Sequence, residues 1–455
     1  MGYPPYQGPK KAKSFKNKIV FKIIIIFVIG LFLLVPTIMI QEIISEREHK
    51  QTEAINEVSS KWGKEQTLAG PMISIPYSYY VKKTASNDTT QKVEWFQDYI
   101  HILPNELNIQ SGVMPELRKR GIYEIVVYNT KIKISGKFSK LNLSQFDIQP
   151  ENIQFDNARL VIGISDLRGI EKQIRLRWNG EYYNFNPGVT TNDVVQNGIN
   201  SPISVNLMDS TDYNFSFSLD LKGSQLLYFT PVGKVTDVTV SSPWKNPSFD
   251  GAFLPDSRNI TNHGFSANWN ILNLNRNYPQ AWTGSKFSLN ESAFGINLLL
   301  PVDNYQKSYR AIRYAILFIG FTFMVFFFIE VLNRYFIHPV QYILVGIALV
   351  IFFILLISIS EQLNFNSAYI ISAIATLLLI AGYIKAILKS TKLTFLISGI
   401  LFILYSFIFI IIQLQDLSLL IGSIGIFIVL GLVMYFSRKI DWDNIVISEK
   451  EEQAD

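Results

Sequence analysis

Six apolar runs decide what this chain can fold into: Ile23 to Ile40, Ala311 to Ile329, Val340 to Ile357, Ala368 to Ile384, Leu393 to Ile412 and Leu417 to Phe436. Apart from Arg313, at the start of the second, none contains a charged residue. Each is close to the roughly 17 to 25 residues that a helix needs to cross about 30 Å of hydrocarbon, where open strands would leave backbone groups unpaired. The runs therefore predict six transmembrane helices. A mean hydropathy of +0.21 over 455 residues agrees, being too high for soluble domains alone.

The first run follows a basic tail over residues 1–18, with Lys10, Lys11, Lys13, Lys16 and Lys18, which is like the n-region of a signal peptide. Its apolar part, within residues 19–40, is too long for an h-region, and MIQEIISER after it offers no small-residue cleavage site. A retained anchor is expected. Lysine and arginine in the short loops set the orientation. With the N-terminus in the cytoplasm, the inner segments hold the lysine tail, Arg334, Lys385, Lys389, Lys392, Arg438 and Lys439, whereas the outer loops SEQLNFN and QLQD carry neither residue type. Residues 310–437 are then a membrane domain with helices two to six, 438–455 a cytoplasmic tail, and 41–309 a segment outside the cytoplasm.

The net charge of +5 lies mostly in the tail and inner loops, where it meets anionic lipid headgroups, and gives no reason to expect nucleic acid as a partner. The chain has no cysteine, which excludes thiolate metal sites and cysteine nucleophiles. The external segment must be held by an ordinary core instead of disulfides, and about 265 residues are enough to bury one.

That segment opens with QEIISEREHKQTEAINEVSSKWG, where Ile43, Ile44, Ile55 and Val58 lie among charges, the pattern of a helical stalk continuing out of the membrane. The period then changes to two. Tyr213, Phe215, Phe217, Leu219 and Leu221 alternate with polar residues, as do Ile174, Leu176 and Trp178; Phe265, Ala267, Trp269 and Ile271; and Val126, Tyr128, Thr130, Ile132 and Ile134. Turn signals fall between them at Asn87-Asp88, Asn179-Gly180, Asn186-Pro187-Gly188, Pro247 and His263-Gly264. The expected fold class is a polytopic α-helical membrane protein carrying a large extracytoplasmic antiparallel β-sandwich.

The catalytic inventory is thin. No phosphate loop, GxSxG elbow or HExxH is present, and His49, His101, His263 and His338 are scattered, so neither a metal nor a cofactor is expected. A serine-based site assembled across long separations stays open, because triads do not require neighbouring residues. In WGKEQTLAGP, Trp62 and Gln66 are candidates for an outer contact with Gly70-Pro71 as the bend; the preferred reading is that Trp62 packs under the sheet domain and Gly-Pro ends the helix, since a helix-to-strand joint needs this punctuation anyway. In NRNYPQAW, Arg276, Tyr278, Gln280 and Trp282 suit a surface that binds glycans or peptides, or else satisfy a long β-connection from within.

Among the membrane charges, Arg310 and Arg313 begin the second helix, Glu330 is near its inner end and Glu361 closes the third. From His338 to Glu361 a helix rises about 35 Å, so the two polar ends face opposite interfaces and cannot form one site. They are read as locks on helix depth: Pro339 in the first turn, Gln341 just inside, and Glu330 a neighbour for His338. Ala368, Ser372 and Thr376, spaced by four, suit helix packing.

The segments LVPTIMIQEIISER, SSKWGKEQTLAGPMISIPY, RGIYEIVVY, SANWNILNLNRNYPQAW, FGINLLLPVDNYQKSYRAIRYAILFIGFTF, FFFIEV and HPVQYILVGIALVIFFILLISISEQ, in this order, resemble the CreD family of bacterial inner-membrane proteins, also called cell envelope integrity proteins. The resemblance covers nearly the whole chain. It implies a Gram-negative inner-membrane protein tied to envelope stress, in some bacteria under a two-component regulator, with links to colicin tolerance and β-lactam response. It implies no reaction and no catalytic residue set. One departure is Ser-Glu-Gln, ending at Gln362, where the family suggests Ser-Glu-His. The expected function is maintenance of the envelope by binding an envelope component on the periplasmic side, without catalysis. Transport of a small envelope-active compound is the alternative, and a membrane-tethered hydrolase is a third. The sequence specifies no oligomeric state.

Overall fold

A computed structural model describes residues 16–84, 91–139, 143–205, 212–298, 304–333, 335–414 and 417–438. The expected turn at Asn87-Asp88, Arg334, most of the basic tail and the C-terminal tail from Lys439 lie outside the described residues. The chain divides into two compact units, one of Met1–Lys50 with Val302–Asp455 and the other of Gln51–Pro301.

In the first unit, α1 (Lys16–Trp62) begins a run of helices continued by α2 (Asn304–Arg313), α3 (Ala315–Asn333), α4 (Pro339–Ser360), α5 (Phe365–Leu388), α6 (Thr391–Gln413) and α7 (Ser418–Ser437). Six of these, all but α2, are long and apolar enough to cross a membrane. The anchor and stalk form one helix of 47 residues that continues into the second unit, with Pro36 inside it. Leu33, Thr37, Ile40 and Ile44 form its buried stripe, the i, i+4, i+7, i+11 spacing of a helix with one packed face. Gly346 on α4 receives that stripe: a Cβ there would stand 2.1 Å from Leu33 Cδ1 and 3.1 Å from the Phe323 ring.

Arg310 and Arg313 do not begin the second span. They belong to α2, a separate amphipathic helix that buries Tyr305, Ser308, Ala311 and Ile312 and ends before Ala315 opens α3. The small residues Ala368, Ser372 and Thr376 are buried on α5, as their spacing predicts.

In the second unit the chain order is β1 (Gln66–Thr84), β2 (Gln91–Ile102), β3 (Glu106–Arg120), β4 (Tyr123–Phe138), β5 (Arg159–Ile164), β6 (Arg175–Trp178), β7 (Glu181–Asn184), β8 (Asn186–Pro187), β9 (Gly198–Pro202), β10 (Tyr213–Ser224), β11 (Leu226–Thr230), β12 (Val235–Ser242), β13 (Pro247–Gly251), β14 (Ser257–Thr261), β15 (Gly264–Leu272), β16 (Ala281–Thr283) and β17 (Phe294–Leu298). They form a nine-stranded sheet, β13-β17-β11-β1-β5-β9-β8 with β2 paired to β1 and β16 paired to β2, and an eight-stranded sheet, β14-β15-β12-β3-β4-β10-β6-β7.

The alternation read from the sequence is the burial pattern observed, for example in β10 and β6, where the aromatic and aliphatic residues face in. Asn179 and Gly180, both at positive φ, make the two-residue turn between β6 and β7. Both sheets contribute to one hydrophobic core that includes Ile75, Leu160 and Phe229 from the first and Ile109, Ile132, Leu219 and Trp269 from the second. The sheets are mixed, not purely antiparallel as expected: β1 runs parallel to β11, and β3 parallel to β12. In each pair the partner strand comes from far along the chain, so local alternation gives no sign of its direction.

Candidate functional site

The joint between α1 and β1 turns its signature residues inward. Gly63, not Gly70, ends the helix: its φ is +150°, and a Cβ would stand 2.8 Å from the Lys222 carbonyl oxygen. Trp62 lies between two cations, with Arg118 4.8 Å and Lys222 4.7 Å from its ring, and its Nε1 donates to the Tyr128 carbonyl at 3.4 Å. Gln66 is wholly buried in β1, where its amide donates to the Asp166 and Lys222 carbonyls at 3.0 Å each and accepts from the Asp166 N–H. Gly70 and Pro71, joined by a cis bond, sit where the β1–β5 register shifts. The expected bend at the end of the helix is thus a β-bulge inside the strand.

The expected contact surface at 276–282 is corrected by the structure. Tyr278 and Trp282 are buried, at 8% and 3% exposure. The Arg276 guanidinium lies 4.2 Å from the Tyr278 ring centroid and donates to the carbonyls of Tyr278 at 2.5 Å and Val232 at 3.3 Å and to the Gln280 side chain. Gln280 donates to the Pro104 carbonyl at 2.8 Å. These groups tie a long β-connection down from within, their side chains donating to the carbonyls of Tyr278 and of the neighbouring Val232 and Pro104.

Trp282 packs beside a trio that the sequence did not bring together. Ser74 Oγ and His101 Nδ1 are 3.0 Å apart across the β1–β2 pair, and Asp193 Oδ2 lies 3.4 Å from His101 Nε2, without hydrogen-bond geometry. Burial holds the His101 pKa below its ordinary value, against the pull of Asp193. The types are those of a hydrolytic triad, but Ser74 and His101 are each 1% exposed. A nucleophile must reach its substrate, and this oxygen faces a ring within the fold.

An exposed aromatic cluster of this unit lies on the far half of β1 and β2. Past Tyr77 and Asp98 the two strands pair with each other from Ser78↔Gln97 to Thr84↔Gln91, with no third strand among the described residues. Tyr79 stacks on Phe96 at 5.7 Å, and Tyr80 meets Trp95 edge-on at 5.4 Å. Successive residues of a strand face opposite ways, so the two aromatic pairs occupy opposite faces. All four rings are exposed, Trp95 to 61%. The sequence sign was present: Tyr79-Tyr80 and Trp95-Phe96 put aromatic residues at consecutive positions, which breaks an alternation with only one core to face.

Two polar clusters fasten the membrane helices. Glu330 is 1% exposed, and its carboxylate accepts from Lys22 of α1, from the Ile337 N–H at 3.2 Å and from the Tyr342 hydroxyl at 3.0 Å. Lys22 also donates to the Ile337 carbonyl at 2.9 Å and lies 4.5 Å from the Phe336 ring. Glu330 is therefore enclosed by protein. Its partners do not include His338, which caps α4: Nδ1 accepts from the Val340 N–H at 3.3 Å, and Gln341 Oε1 accepts from the His338 N–H at 3.1 Å. Pro339 takes the first helical position, where a missing N–H is harmless. At the other end of α4, Glu361 accepts from Tyr305 of α2 at 3.2 Å and pairs with Arg47 of α1 at 3.4 Å.

Residues 18–443 match the family model described as Inner membrane protein CreD. The chain is 30% identical over 430 residues to the Inner membrane protein CreD of Escherichia coli (strain K12), which covers 94% of each chain. A solved M1 zinc metallopeptidase from Deinococcus radiodurans aligns with 37% of this chain and 38% of its own at 10% identity and a TM-score of 0.18, too slight a likeness to carry fold or activity. With six helices able to span a membrane, a large sheet-rich unit and a family match along nearly its whole length, the chain belongs to the CreD family of inner membrane proteins.

Proposed function

We propose that this protein helps to maintain the cell envelope as a membrane-anchored binding protein without catalytic activity. Its sheet unit, a β-sandwich on the periplasmic side, captures a glycan or peptide component of the envelope through the β1–β2 ribbon. The observation that carries this reading is the ribbon itself, whose two aromatic faces have no core to bury them and suit the flat face of a sugar ring or an apolar side chain. The orientation, with both termini in the cytoplasm, draws support from Lys385, Lys389, Lys392 and Arg438 at one set of helix ends and the lack of Lys and Arg in the loops at the other. The two sheets around one core support the sandwich. The buried Ser74 favours binding over hydrolysis. Transport would require a polar cavity, and the two cavities described among the helices have apolar linings.

A photo-crosslinking amino acid placed at Tyr80 or Trp95 of the full-length protein in cells tests the reading. Adducts are expected from these two positions and not from Trp282. Absence of adducts at both, together with wild-type envelope tolerance in the Tyr80→Ala/Trp95→Ala variant, rejects the ribbon as the binding surface.

A further inference from the structure

On β4, Lys131 and Lys133 are exposed while Ile132 and Ile134 are buried, and on β6 Arg175 and Arg177 are exposed while Leu176 and Trp178 are buried. Strand β10 runs between β4 and β6. Its Ser218 stands across from Lys133, and its Ser216 across from both Ser135 of β4 and Arg177 of β6, so these side chains share one face. Lys131 and Arg175, each two residues along its strand, share it too. With strands about 4.8 Å apart, two columns of cations flank a strip about 10 Å wide on the outer face of the eight-stranded sheet.

Among the described residues none of the four cations has an ion-pair or hydrogen-bond partner. The carboxylates nearest in register are engaged elsewhere: Asp220, across from Lys131, accepts from Lys172 at 2.6 Å, and Glu106 pairs with Lys137 at 2.9 Å. Asp212, just before β10, acts on Lys137 as well. The strip therefore keeps a positive potential that draws anions. Its floor is low and polar. Serine is a weak strand residue where β-branched side chains are favoured, yet Ser135, Ser216 and Ser218 all stand here, and Gln110 of β3 extends the floor beside Lys133. At the β7 margin Tyr182, across from Arg177, is 71% exposed.

A ligand that fits has acidic groups to either side, hydroxyls between them and a flat ring face at one margin. That is the chemistry of an acidic glycan. A bilayer surface would ask for apolar side chains to enter it, and this strip offers none.

We propose that the outer face of β4, β10, β6 and β7 is a binding surface for a glycan bearing carboxylate or phosphate groups. Lys131, Lys133, Arg175 and Arg177 hold the acidic groups, the serines meet the hydroxyls, and Tyr182 stacks on a sugar ring. The surface belongs to the other sheet from the β1–β2 ribbon and does not depend on it.

Isothermal titration calorimetry of the full-length protein in phosphatidylcholine nanodiscs tests the site, with an alginate oligosaccharide, a phosphomannan oligosaccharide, a neutral maltooligosaccharide and a single-stranded DNA as probes. At least one acidic glycan is expected to bind and the neutral one not, and the better of the two acidic probes identifies carboxylate or phosphate as the group recognised. Lys133→Gln/Arg177→Gln changes only exposed side chains and is expected to weaken binding by about tenfold or more. Tyr182→Ala is expected to weaken the acidic glycan and not the DNA, whereas Tyr80→Ala/Trp95→Ala leaves glycan binding unchanged. Failure of both acidic glycans to bind overturns the site, as does a Lys133→Gln/Arg177→Gln variant that binds like the wild type. DNA bound as tightly as the glycan, with Tyr182→Ala without effect, would show attraction for any polyanion and overturn it too. Loss of binding in Tyr80→Ala/Trp95→Ala would move the glycan to the ribbon.

Discussion

Removing one partner from the Lys22–Glu330 pair leaves a charge enclosed by helices, and that decides the sign of each substitution. Lys22→Met is expected to destabilise the membrane unit by about 3–5 kcal/mol, whereas Lys22→Met/Glu330→Gln recovers much of the loss because the neutral amide can accept from the Ile337 N–H through its oxygen and donate to the Tyr342 hydroxyl through its nitrogen. Thermal unfolding in detergent measures both. His101 makes a prediction of a different kind. Its folded pKa lies below the ordinary 6.5, so the unfolded chain binds the proton more readily. The stability it contributes is complete above about pH 6.5 and is lost as the pH falls below that, through the folded value. The melting temperature is expected to fall more between pH 7.5 and pH 5 in the wild type than in His101→Gln. An equal fall in both would show that His101 does not contribute to the acid response. Neither pairing was readable in the sequence, because Lys22 and Glu330 are 308 positions apart and His101 meets Asp193 only once β2 is in place. The four residues Arg276, Tyr278, Gln280 and Trp282 mislead for a related reason: the side chains that stack on ligands are the same ones that satisfy a buried connection.

At the level of elements, periodicity fared better than punctuation. The strands with period-two alternation and the six long apolar helices are present where their patterns predict them. Boundaries fixed by glycine and proline were less transparent. Gly70-Pro71 reads as a helix stop, but the stop is Gly63, whose need for glycine comes from the Lys222 carbonyl on a distant strand. The division between α2 and α3 is likewise hidden, since Arg313 looks like the head of a longer helix until the amphipathic stripe of α2 is seen to end there. Packing between elements gives a direct test at Gly346. Alanine is expected to be tolerated, because Leu33 Cδ1 is the end of a side chain and can turn away. Gly346→Leu is expected to cost about 1–3 kcal/mol by forcing α1 off α4, and Leu33→Ala should relieve part of that cost. A double variant no more stable than Gly346→Leu alone would place the strain elsewhere.

For the whole molecule, orientation is the property on which the proposed function depends most. The chain has no cysteine, so single substitutions report topology without background. A cysteine at Gln362 is expected to react with an impermeant maleimide in intact cells whose outer membrane is permeabilised, and one at Lys389 only after the inner membrane is opened. The reverse pattern would put the sheet unit in the cytoplasm and end the case for an envelope ligand. The two clusters on α1 also bear on how the protein meets a bilayer of changing thickness. Lys22 and Arg47 are 25 residues apart, a rise of about 37 Å, and each is tied to a fixed point on the bundle, at Glu330 and Glu361. A slip of α1 by one helical turn, about 5.4 Å, would break both ties together. The first span therefore cannot act as an independent piston: hydrophobic mismatch is answered by tilting all the tied helices at once or by deforming the lipid around them.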